Sequence, residues 1–367
     1  MKYLFVIQGE GRGHFTQALS LKCMLERNGH EVVAVMVGSS ARRSLPEFFS
    51  TKINTEIIRF ISPNFLPAPK AKKSFLLASI LYNLLLVPAY INSIFNIKKT
   101  IDQQQPDVVI NFYELLCGLT YGVFKPDVPM VNVAHQYYFL TPDFRYTGKN
   151  QLQFKLLNFY SKLTSLNAEK ILALSFRILE KSSFGKIAIV PPLLRSEVKN
   201  QTISNKNYIH GYLLNSGYAK ELTKWSEFSV SERLHFFWDK KNVGKTVKLT
   251  PRLTMHSLDD ELFLNYMAGC KGYATTGGFE SVCEAMYLQK PVLMVPTHIE
   301  QECNVIDAMR SGAGVTDEYF NLYALLEFIP NYTATNEFRD WIHVADRLFM
   351  YELTRVQTET ATILAVV

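Results

Sequence analysis

The chain has 367 residues, 48% of them hydrophobic, and a formal net charge of +6. That is too long for one small domain, comfortable for two, and apolar enough for a large core. Its five cysteines, Cys23, Cys117, Cys270, Cys283 and Cys303, are scattered and form no CxxC, which argues against a disulfide framework or structural zinc and points to a reducing cytosol. A mean hydropathy near zero suits a soluble or membrane-surface protein. The first residues lack the basic start, apolar run and small-residue cleavage site of a secretory signal. Residues 1–200 carry a net charge of +11 and residues 201–367 a net of −5. The basic half is expected to face something anionic, a membrane surface or a phosphate-bearing acceptor; a plain solvated face is the alternative. No recognition-helix, RNP-like or zinc-finger pattern speaks for nucleic acid.

Along the chain, strands alternate with helical stretches, as in α/β proteins with parallel sheets. A strand at 3–8 leads into the loop Gly9-Glu10-Gly11-Arg12-Gly13-His14. A helix follows over 15–28, with Ala18, Leu21 and Leu25 on one face and Gly29 at its carboxyl end. Further strands are predicted at 31–37, 108–111, 130–134, 170–174 and 187–190. Residues 200–207 are polar and aperiodic and read as a linker. A second series has strands at 208–213, 234–238, 246–249, 272–275 and 292–295, with helices at 261–267, 279–287 and 301–310. The expected organisation is an amino-terminal acceptor domain (1–200), a carboxyl-terminal domain (208–334), and a helical tail (335–367) packing back toward the first domain.

The most informative stretch is ATTGGFESVCEAMYLQKPVLMVPTHIEQECNVIDAMRSGAG, residues 274–314. It reads as strand, glycine turn, helix, strand, polar loop, helix. Gly277 and Gly278 remove side chains where a helix begins, so free N–H groups and the positive helix end can receive a diphosphate. Ser281 in the first turn can add a hydroxyl. Glu284, one turn on, can accept both hydroxyls of a ribose. Glu300 and Gln301 suit sugar hydroxyls.

The order GG-x5-EA, P-x4-P, EQ-x2-N, G-x-G in this stretch resembles the donor half of GT-B glycosyltransferases, two Rossmann-like domains facing across a cleft. The branch it is most similar to holds the cell-wall lipid-intermediate GlcNAc transferase and the UDP-glycosyltransferases. The resemblance implies that Thr276, Gly277, Gly278 and Ser281 bind the diphosphate, Glu284 the ribose, and Glu300 and Gln301 the donor sugar. Asn304 would support that loop, and His256 to Leu258 would line the base pocket through backbone contacts. Plant-type members carry a histidine where this chain has Thr276, which implies more backbone-based phosphate contacts.

The first loop has glycines at 9, 11 and 13 rather than G-x-G-x-x-G, and no acidic residue ends the second strand, Val37-Gly38-Ser39, which argues against a dinucleotide cofactor. Its G-x-G-H ending, Gly11 to His14, resembles the first loop of the same branch, where the histidine faces the cleft. His14 is the candidate general base, because imidazole titrates in the range needed to take a hydroxyl proton. Glu114, after a strand, is the candidate group to orient it; His135, also after a strand, is a candidate contact for acceptor or base. Gly11, Gly13 and His135 are the cleft candidates. No DxD or His/Asp cluster suggests a required divalent metal, and no cofactor beyond a nucleotide sugar, expected to be a UDP-sugar, is implied.

The run FLLASILYNLLLVPAYINSIFNI, from Phe75 to Ile97, has no charge and is bracketed by Lys70, Lys72, Lys73, Lys98 and Lys99. Pro88, Asn83, Asn92 and Ser93 make it a poor membrane span. Helices that line an acceptor groove or dip into a membrane interface fit better, and a buried helix pair is the other reading. The combined expectation is an inverting, metal-independent transferase acting on a lipid-like or apolar hydroxyl, in the cytoplasm and peripheral to the inner membrane face. An epimerase or hydrolase of the same fold, or a non-catalytic sugar- or lipid-binding protein, are the competing functions.

Overall fold

Strand Lys2–Gln8 (β1) has five consecutive residues, Tyr3 to Ile7, with no exposed surface. Such a strand belongs inside a parallel sheet covered by helices on both faces. The computed structural model describes residues 1–40, 44–64, 82–213, 216–228, 231–238 and 244–364; Lys70, Lys72, Lys73 and the first part of the uncharged run lie outside them. β1 is central to an eight-stranded sheet with Glu31–Ser39 (β2), Ile57–Ile61 (β3), Val108–Phe112 (β4), Met130–Ala134 (β5), Lys170–Leu174 (β6), Ser183–Phe184 (β7) and Ile187–Val190 (β8). The order is β3-β2-β1-β4-β5-β6-β8-β7, and among the described residues only β7 runs antiparallel to its neighbour.

The second sheet contains Tyr208–Leu213 (β9), Arg233–Trp238 (β10), Thr246–Lys248 (β11), Leu253–Ser257 (β12), Gly272–Thr275 (β13), Val292–Met294 (β14) and Gly314–Thr316 (β15). Its order is β11-β12-β10-β9-β13-β14-β15, parallel except for the edge strand β11. The two parallel-dominated sheets make the α/β, GT-B architecture expected. The sequence reading missed β3, β7, β12 and β15. β12 hides because Thr254, His256 and Ser257 break its apolar pattern, and β15 because it is three residues long.

Strand order reverses beside β1 in the first sheet and beside β9 in the second. In open α/β sheets the crevice at the carboxyl ends of strands flanking such a point is where ligands bind. The Gly9–His14 loop leaves the end of β1, and the Thr276–Gly278 turn leaves the end of β13, which pairs with β9. One buried apolar cluster runs through both units, joining Phe5, Leu25 and Phe112 to Phe263, Val282 and Met286. The last helices, Glu337–His343 and Ala345–Leu364, strap the units together. The Trp341 indole donates to the Ser175 carbonyl at 2.9 Å and Lys170 pairs with Glu352 at 2.7 Å, while Arg339 Nε donates to the Tyr287 carbonyl at 2.8 Å.

Candidate active site

The turn after β13 is built for a backbone that comes close to something. Gly277 has φ +82°, and a Cβ there would also lie 2.8 Å from Val305 Cγ2, so side chains are excluded twice over. Gly278 is the N-cap of helix Phe279–Tyr287 and has no side chain to cap it. The first-turn N–H groups are therefore available to an anion. Ser281 in that turn donates its hydroxyl to the Gly278 carbonyl at 3.2 Å.

The next helix, Ile299–Arg310, holds the turn in shape. Gln301 Nε2 donates to Thr276 Oγ1 at 3.1 Å, and its Oε1 accepts from the Thr297 N–H and hydroxyl at 2.9 and 2.8 Å. Asn304 Nδ2 donates to the Gly277 carbonyl at 3.1 Å. Gln301, expected at the donor sugar, braces the turn, with both ends of its amide engaged there. Its neighbour Glu300 points to the other domain, where Gln136 Nε2 donates to it at 3.0 Å.

Glu284, the expected ribose carboxylate, is nearly buried and accepts from Arg195 Nε at 2.8 Å. Arg195 also lies 3.8 Å from Asp260, which takes Arg12 at 2.9 Å. Burial works against the Arg195 charge, but Glu284 and Asp260 outweigh it and raise its pKa above the ordinary value. The arginine comes from the stretch after β8, so this cluster spans the two domains.

His14 sits in the first turn of helix Gly13–Arg27, at the end of β1. Its Nδ1 is 3.4 Å from Gln17 Oε1, and its ring stacks on Tyr113 at 5.9 Å. Burial lowers its pKa, opposed by the charge of Glu300 and the bond to Gln17. Gln17 in turn donates through Nε2 to Glu280 Oε1 at 2.5 Å. Glu280 belongs to the first turn of helix Phe279–Tyr287, and burial pushes its carboxyl up to about 8. A Cβ on Gly13 would lie 2.9 Å from Glu280 Cγ, whereas one on Gly11 would meet nothing within 4 Å. The loop and the glycine turn are thus brought together.

Two expected partners are elsewhere. Glu114 does not orient His14. It caps helix Leu115–Phe124 by accepting from the Leu116 N–H at 3.1 Å, and it accepts from Ser62 Oγ at 2.6 Å. Fully buried beside Gly38, it has its carboxyl pushed up to about 7. His135 does not face open space either. Its Nδ1 contacts the Leu174 carbonyl at 2.7 Å, and its ring stacks on Phe279 at 4.1 Å, in an aromatic cluster with Phe139 and Phe176 that seals the domains. Burial pulls its pKa down to about 3.

At the end of β12 the His256 imidazole lies 3.1 Å from His235 and 3.3 Å from Thr246 Oγ1, stacked on Phe237, and burial lowers its pKa. Leu258 packs half-buried on the core. Sequence reasoning overlooked Gln17, Arg195, Gln136 and Glu280. Gln17 had a usable signal, since three residues after His14 it shares its helix face. Arg195 had none, because it meets Glu284 only through the tertiary fold. Among the described residues no group of three or more His, Cys, Asp or Glu could hold a metal ion.

On the first domain, helices Val87–Gln104, Leu115–Phe124 and Gln151–Thr164 pack side by side. Gly118 makes the last contact close, since a Cβ there would be 2.2 Å from the Leu163 carbonyl. Leu85, Phe95, Val123, Leu152, Leu156 and Phe159 on and beside these helices are each more than half exposed. Lys98, Lys99, Lys155 and Lys162 share the helices with one acid, Asp102. Among the described residues no helix is long and apolar enough to cross a membrane.

No curated protein matches the chain in sequence. Solved structures match its fold. A Phytolacca americana UGT2 complexed with UDP-2fluoro-glucose and pterostilbene is 15% identical, with all of both chains covered and a TM-score of 0.60. Arabidopsis thaliana UGT89C1 complexed with quercetin is 12% identical, covering 98% of this chain and 99% of its own, with a TM-score of 0.61. The calicheamicin glycosyltransferase CalG4 is 14% identical, covering 99% and 98%, with a TM-score of 0.55. A sequence profile described as glycosyl transferase family 1 matches residues 1–332. The chain therefore belongs to glycosyl transferase family 1 and is a GT-B glycosyltransferase.

Proposed function

We propose that the enzyme moves a sugar from a UDP-sugar to a lipid-like or otherwise apolar hydroxyl acceptor, with inversion and without a metal ion. The observation that carries the reading is the meeting of two unlike halves. An uncapped helix start at Gly278 suits a diphosphate, and Gln17, on the helix of His14, bonds to Glu280 in the first turn after Gly278, where Gly13 leaves room for the Glu280 side chain. UDP as the nucleotide draws on the Phytolacca complex.

In this reading the diphosphate lies on the N–H groups of Gly278 and the first turn, with Thr276 and Ser281 beside it. Glu284 takes the ribose hydroxyls, which requires Arg195 to yield them, and Glu300 faces the sugar. His14 Nε2 takes the acceptor's proton as its oxygen bonds to the anomeric carbon, and UDP leaves with the electron pair of the broken bond. One displacement of this kind inverts the anomeric centre. The positive helix end, equivalent to roughly half an elementary charge, offsets charge on the leaving diphosphate.

The acceptor class rests on the three-helix face of the first domain, whose apolar side chains and lysines suit an anionic membrane surface. A cytoplasmic enzyme at the inner face of the membrane accords with it. The test is UDP release from a panel of UDP-sugars, with and without a membrane lipid extract. Release that depends on the extract supports the proposal. Release without any acceptor indicates a hydrolase, and interconversion of the sugar without release an epimerase. No turnover with any donor indicates a binding protein.

A further inference from the structure

A histidine works as a base only if the nitrogen facing the substrate is unprotonated, which depends on what holds the other nitrogen. In this chain Glu114 does not hold it, being committed to a helix cap and to Ser62. The group on His14 Nδ1 is Gln17, and the group on Gln17 is Glu280, from the other domain. Once ionised, on the alkaline side of its raised value of about 8, the Glu280 carboxylate can only accept, so it takes an N–H of the Gln17 amide. That turns the amide oxygen toward His14, where Nδ1 must carry the proton as donor. The remaining nitrogen, Nε2, is then the basic one. The 3.4 Å separation between Nδ1 and the amide oxygen is long for a hydrogen bond, as contacts of catalytic groups often are before substrate tightens them.

We propose that Gln17 and Glu280 form a positioning relay across the domain interface, through which the donor helix sets the tautomer of His14. The inference rests on the reading of His14 as general base. Its consequence is coupling. Glu280 lies two residues beyond Gly278, so whatever moves the donor turn moves the end of the relay, and His14 is oriented only when the two domains are together. The side chain reaches Gln17 because residue 13 is glycine: a Cβ there would press on Glu280 Cγ.

The charge of Glu280 belongs to the same device. A protonated carboxyl could donate to a flipped amide and offer His14 an N–H instead, favouring the unproductive tautomer. Because burial pushes Glu280 up to about 8, its ionisation falls within an accessible pH range. The groups facing it are Gln17, Glu284, Arg195 and Cys283; those facing His14 are Gln17, Tyr113 and Glu300.

The experiment compares wild type with Gln17→Leu, Glu280→Ala, Glu280→Gln and His14→Ala, measuring kcat against pH and the Kd of UDP. Gln17→Leu and Glu280→Ala should lower kcat about 10–100-fold, the usual cost of losing an orienting partner, with UDP affinity unchanged. Because the Gln17 bond raises the His14 pKa, Gln17→Leu should also move the acid limb of the profile to lower pH. Wild type should show a rise in kcat near pH 8 that Glu280→Gln lacks, and Glu280→Gln should recover most of the pH 7 turnover that Glu280→Ala loses. If His14→Ala is inactive while Gln17→Leu and Glu280→Ala turn over like wild type, the relay is wrong and the base stands. If their losses come with weaker UDP binding and an unmoved acid limb, the contact is a domain clamp and the proposal fails. If His14→Ala turns over normally, the base reading falls and takes the relay with it.

Discussion

The two glycine loops that meet in the cleft are held in opposite ways. The Thr276–Gly278 turn is shaped from within its own domain, by Gln301, Asn304 and Val305. The histidine that ends the other loop lies in a chain of contacts, through Gln17, that finishes on Glu280 of the other domain. A site that must bind first gains from being built in advance, since preorganisation avoids an ordering cost. A base that must act only on the assembled complex gains from being completed by closure. The contrast teaches that donor binding and proton removal should be separable by mutation.

The largest effect that sharpens this contrast is expected at Glu284. Replacing it by Ala removes up to two charge-assisted bonds to a ribose, each worth about 1.5–3 kcal/mol, so the donor KM should rise at least tenfold. UDP binding equal to that of wild type would refute the ribose role. Next come the glycines of the two loops. Gly277→Ala combines a left-handed backbone with a clash against Val305 and should cost about 1–3 kcal/mol of stability along with donor affinity. Gly11→Ala meets open space and should leave the melting temperature unchanged; a comparable loss at both sites would erase the difference between the loops.

A smaller effect is expected from Glu114, the carboxyl that belongs to neither loop's function. Its folded pKa of about 7 lies above the ordinary 4.5, so the folded state holds its proton more tightly. Stability from this group is full below about pH 4.5 and is lost as pH rises through 7. Glu114→Gln should therefore be close to neutral at pH 5 and stabilising by about 2 kcal/mol at pH 8. Melting curves at the two pH values check this, and an equal shift at both would contradict it. The smallest effect is at the membrane face. Lys155→Gln with Lys162→Gln should weaken binding to anionic vesicles by about 1 kcal/mol per lysine and leave UDP affinity alone. Co-sedimentation indifferent to vesicle charge and to salt would remove the electrostatic part of the acceptor proposal.

How much of this the sequence disclosed follows the same division. The Thr276–Gly278 turn was legible as structure because its glycines, helix and following strand lie within about forty consecutive residues and each carries a local signal. The strands buried on both faces were legible for the same reason. Gln301 was placed correctly on its helix, but its engagement with Thr276 and Thr297 needs the folded loop. Glu114 looked like a partner for His14 because acids after strands face crevices; only the packing of Ser62 and Gly38 against it shows a cap. Arg195 and Glu280 meet their partners across 89 and 263 positions of chain, and no periodicity carries that information. The apolar face was half seen: the uncharged run suggested it, but Leu152, Leu156 and Phe159 come from a helix sixty residues later and join it only through the packing at Gly118.

The most direct test of the separation between binding and proton removal is the pairing of UDP affinity with turnover in His14→Ala. The Kd of UDP, measured by calorimetry, should match wild type, while kcat with a UDP-sugar and its acceptor falls about 10²–10⁴-fold. A mutant that turns over normally, or one that loses UDP affinity in step with kcat, would contradict the account.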